Sequence, residues 1–105
     1  MYRLAVITDP ETATGFRLAG VEVREATSAQ AVLDHIRQIL PLDYGLIAVN
    51  EDLLAGTDDE RARLLRDRDL PIILPFPAPK QQMESGEAYI LRLVKEHIGF
   101  YVKLR

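Results

Sequence analysis

The stretch from Thr8 to Val21 (Thr8-Asp9-Pro10-Glu11-Thr12-Ala13-Thr14-Gly15-Phe16-Arg17-Leu18-Ala19-Gly20-Val21) narrows the possible folds most. It joins the first apolar run to the second through one short helix and a glycine stop. Pro10 fixes φ and gives up an N–H that a first helical turn leaves unpaired, and Glu11 places negative charge where the helix dipole favours it. A helix beginning at Pro10 or Glu11 is therefore expected, with Asp9 as a turn or helix-start acceptor. Gly20 is expected to end it in the left-handed conformation that a residue without Cβ adopts at little cost. A connection of about ten residues is close to the minimum for a crossover between parallel strands.

The rest of the chain supplies the strands that such a crossover needs. Leu4-Ala5-Val6-Ile7 is continuously apolar and reads as a central strand covered on both faces, whereas Val21-Glu22-Val23-Arg24-Glu25 alternates and fits a sheet edge. Thr27 or Ser28 can cap a helix whose apolar positions Ala29, Val32, Leu33, Ile36 and Leu40 share one face, with Pro41 ending it by disfavouring the α conformation at Leu40. Tyr44-Gly45-Leu46-Ile47-Ala48-Val49 is a second interior strand, closed by Asn50-Glu51-Asp52. Thr57 and Glu60 have the spacing of a capping box before a charged helix that runs through Arg61, Arg63, Arg66 and Asp67, with Ala62 and Leu65 turned inward. Leu70-Pro71-Ile72-Ile73-Leu74-Pro75 is bracketed by prolines and belongs at the other edge. Phe76-Pro77-Ala78-Pro79-Lys80 reads as a stiff extended linker, followed by a helix with Ile90, Leu93, Val94 and Ile98 on one side and a tail from Phe100.

This pattern predicts an α/β fold: a small Rossmann-like or receiver-like parallel sheet of four strands in the order 2-1-3-4, with helices on both faces and a C-terminal helix. Residues 1–75 form the body, 76–81 the proline-rich linker, and 82–105 the C-terminal helix and tail, within one compact domain. A chain of 105 residues, 48% apolar and 28% charged, can bury such a core without staples. No apolar run approaches a membrane span, no leader pattern opens the chain, and a cytoplasmic location is expected. Zero cysteines exclude disulfides, thiolate metal sites and cysteine nucleophiles. A formal net charge of −3 gives no electrostatic reason to expect nucleic acid or anionic lipid.

In folds of this strand order ligands bind beyond the carboxyl ends of the central strands, here a crevice lined by Asp9, Asn50, Glu51 and Asp52. A phosphoacceptor receiver needs clustered carboxylates after the first strand, an aspartate nucleophile after the third and a lysine after a later one. Asp9 stands alone before a proline, and the third strand ends in an amide. Neither a dinucleotide-binding glycine turn nor a Walker A sequence is present. His35 and His97 lie on different helices without metal-ligand spacing, and Ser28 and Ser85 read as caps. No catalytic residue, cofactor or metal is expected, and the residues describe a binding or assembly module.

Several segments resemble one family in order along almost the whole chain. Ala5-Val6-Ile7-Thr8-Asp9-Pro10-Glu11-Thr12 followed by Gly15-Phe16-Arg17-Leu18-Ala19-Gly20-Val21, the Tyr44–Glu51 strand, the Arg68–Pro75 strand, and Arg92-Leu93-Val94-Lys95 leading to Ile98-Gly99-Phe100 are similar to the F subunit of V-type, or archaeal-type, rotary ATP synthases. The GFRLAG segment is its specific part. The resemblance implies a non-catalytic protein on the central rotor stalk that binds the coiled coil of the D subunit, with the A/B catalytic head and the ring-socket component as further neighbours. It implies a place at the membrane periphery in the soluble ATPase sector, coupling or modulating ATP turnover and ion translocation. Partner-facing residues are expected at Phe16, Arg17 and Leu18, and on the C-terminal stripe Ile90, Leu93, Val94 and Ile98, the helix-on-coiled-coil pattern. The alternative is a degenerate receiver-like regulatory module that binds another protein.

Overall fold

A computed structural model describes residues 2–77. Four strands, β1 (Arg3–Thr8), β2 (Val23–Glu25), β3 (Tyr44–Asn50) and β4 (Ile72–Phe76), pair in parallel in the order β2-β1-β3-β4. The two continuously apolar runs are the central strands and the alternating and proline-bracketed runs are the edges, as expected. Helix α1 (Pro10–Leu18) packs on one face, where Phe16 joins Leu4, Val6, Leu46, Ala48, Leu74 and Phe76. Helices α2 (Ala29–Ile39) and α3 (Asp58–Leu64) take the other face, whose core contains Ala5, Ile7, Val32, Ile36, Ile47 and Val49. A single 3₁₀ turn (Glu51–Leu53) follows β3.

The first crossover is built by its ends. The Asp9 side chain accepts from the Thr12 N–H and Pro10 opens the helix. At the far end Gly20 has φ +83°, and the Gly20 and Val21 N–H groups donate to the Arg17 and Phe16 carbonyls at 2.9 and 3.1 Å. That is the Schellman arrangement, in which a left-handed residue lets two orphan carbonyls be satisfied. It also brings Val21 onto Phe16 in the core.

A bulge lies where the central strands begin. Arg3 pairs with Tyr44 but Leu4 pairs with Leu46, which leaves Gly45 as the extra residue. Consequently Tyr44 faces the α2 side although Leu46, two positions on, faces α1. Only glycine fits the bulge, because a Cβ at Gly45 would lie 2.6 Å from the Tyr2 Cβ.

Several local expectations are corrected. Leu40 adopts the α conformation despite Pro41, and the buried position of that last turn is Ile39, with Leu40 half-buried. What stops α2 is that Pro41 has no N–H to extend the ladder. Thr57 and Glu60 form no capping box: the buried Thr57 hydroxyl donates to the Leu54 carbonyl at 2.6 Å and accepts from Arg61 Nε at 2.9 Å, and Glu60 pairs with Arg63 and Arg37. Helix α3 ends at Leu64 rather than running through Arg66 and Asp67. Leu64 is the residue that packs on the sheet, while Ala62 is exposed. Phe76, expected in the linker, is instead the last residue of β4, fully buried and paired with Asn50. The remaining linker residues from Ala78, the C-terminal helix and the tail lie outside the described residues.

Candidate functional site

The crevice at the carboxyl ends of β1 and β3 follows from the strand order, which sets Thr8-Asp9 beside Asn50. Thr8 and Asn50 are buried and Asp9 is half-buried. The Thr8 hydroxyl donates to Asp9 Oδ1 at 3.0 Å. Asn50 Nδ2 donates to the same oxygen at 3.1 Å and to the Thr8 hydroxyl at 3.3 Å. The second Asp9 oxygen takes the Thr12 N–H at 3.0 Å, and Asn50 Oδ1 takes the Asp52 N–H at 3.0 Å. One carboxylate, one hydroxyl and one amide thus satisfy each other, close the start of α1 and close the turn after β3. Glu51 and Asp52 are exposed beside this set rather than within it.

Partial burial pushes the Asp9 carboxyl up, but the hydrogen bonds from Thr12 and Thr8 outweigh it and hold the group below the ordinary carboxylate range. A lowered native pKa means stability that is present above the unfolded carboxyl range and lost as pH falls through the native value. Asp9→Ala should therefore cost about 1 kcal/mol at neutral pH as a lost helix cap. The difference from the parent chain should shrink as pH falls through the lowered native value of Asp9, read by urea denaturation along a series from neutral to acidic pH.

The GFRLAG residues separate sharply. Phe16 is 2% exposed and packs edge-on against Phe76, with ring centroids 5.6 Å apart, so of the three it acts through the core and not at the surface. Arg17 is exposed and ion-paired with Glu25, which ties α1 to β2. Leu18 is 84% exposed. Ile90, Leu93, Val94 and Ile98 lie outside the described residues. Ser28 caps α2 through the Ala31 N–H at 3.1 Å, and His35 Nε2 lies 2.8 Å from the Glu25 carbonyl oxygen, both structural roles.

Thr8 and Thr12 are crevice residues that the hydrophobic pattern does not single out. The available signal is a hydroxyl at the end of an apolar strand, one residue before an aspartate that must cap a helix. Among the described residues no cluster of three or more metal-ligating side chains occurs, and no helix is long and apolar enough to cross a membrane.

Residues 4–94 match the family model described as ATP synthase (F/14-kDa) subunit. In Thermus thermophilus, the V-type ATP synthase F subunit is 45% identical over 96% of this chain and 100% of its own length. In Thermococcus gammatolerans, the A-type ATP synthase F subunit is 31% identical over 96% of this chain and 98% of its own. In Fusobacterium nucleatum, the V-type ATP synthase F subunit is 30% identical, over 94% and 93%.

Proposed function

The chain belongs to the family of ATP synthase (F/14-kDa) subunits, and from that premise we propose that it is a non-catalytic component of the central rotor stalk, bound to the coiled-coil D subunit. In this reading it makes no bond in ATP. It stabilises or modulates the rotating connection between the nucleotide-hydrolysing head and the ion-translocating ring.

The observation that carries the reading is the crevice. In folds of this strand order it is the usual place for ligand chemistry. Here Thr8, Asp9 and Asn50 are bonded to one another and to the backbone, so that position serves local structure. Partner contact then falls to the outer surfaces, including Arg17 and Leu18. The C-terminal sequence adds Ile90, Leu93, Val94 and Ile98, an i, i+3, i+4 stripe suited to a helical partner.

Co-expression of the full chain with the D subunit of the same complex, followed by size-exclusion chromatography, tests this. A stoichiometric complex is expected, and separate elution of the two proteins would overturn the assignment. Incubation with acetyl phosphate and Mg²⁺ should leave the mass unchanged. A phosphoryl adduct on Asp9 or Asp52 would favour a receiver-like regulatory module instead.

A further inference from the structure

We draw no further inference here: the strongest candidate, the open groove along α3 lined by Asp58, Arg61, Ala62 and Leu65, carries nothing, because Arg61 is already engaged with Asp58 and Thr57 and nothing in the structure shows what covers the groove.

Discussion

Replacing Phe16 by alanine should lower the stability of the chain by about 3–5 kcal/mol, a large part of what a domain of this size possesses. The ring is 2% exposed and sits on the face of the sheet that α1 covers. It meets Phe76 at an interplanar angle of 79°, the edge-to-face arrangement that adds about 0.5–1.5 kcal/mol beyond area burial. The Phe16 carbonyl also accepts the Val21 N–H in the Schellman turn, so the truncation loosens the residue that aims the chain into β2. Phe16 and Phe76 come from the first helix and the last described strand, so the contact joins α1 to the far edge of the sheet. Urea denaturation of the single and double alanine variants measures it. The pair should be non-additive by about 0.5–1.5 kcal/mol, and full additivity would mean that the rings do not support each other. A loss below about 1 kcal/mol would show that the site collapses around the missing ring.

That prediction depends on a residue whose role is half legible in the sequence. Phe16 stands out within GFRLAG, but helical spacing alone does not say which of Phe16, Leu18 and Ala19 faces the sheet in so short a helix. The sheet itself is readable because burial on both faces demands continuous apolar runs and an edge tolerates alternation or proline. Strand order follows from those two patterns. Phe76 is lost to the linker because Pro75 and Pro77 flank it. A proline on the outermost strand costs no ladder bond when its nitrogen faces away, so the strand continues through Pro75 to pair Phe76 with Asn50. Thr57 misleads for a different reason. Its spacing to Glu60 is right for a capping box, but its backbone, with φ −103° and ψ 1°, does not have the extended cap geometry, and Arg61 competes for the hydroxyl. The bulge at Gly45 leaves no signal in the hydrophobic pattern, since it flips Tyr44 from one apolar face to another.

In the crevice, strand order alone suffices to place Asp9 beside Asn50, and one substitution there should invert the pH response of the fold. Asn50→Asp keeps an acceptor for the Asp52 N–H but removes both hydrogen bonds that the amide donates, to Thr8 and to Asp9. It also sets a second carboxylate where a donor now lies 3.1 Å from an Asp9 oxygen. Two like charges at that separation repel by several kcal/mol at an effective dielectric constant near 20. A loss of about 3–5 kcal/mol at neutral pH is therefore expected, part of it from the lost donors. The pair relieves itself by retaining one proton, which raises one native carboxyl pKa above its unfolded value. The native state then binds more protons than the unfolded chain, so the variant gains stability as pH falls through the raised pKa. The parent chain does the opposite, because its Asp9 is held low. Asn50→Leu removes the same donors without adding charge and should follow the parent in the sign of its pH slope. Urea denaturation from neutral pH to about pH 4 distinguishes the three chains. A slope for Asn50→Asp parallel to that of the parent would mean that the new carboxylate turns to solvent and that the Asp9–Asn50 contact does not hold the ends of β1 and β3 together.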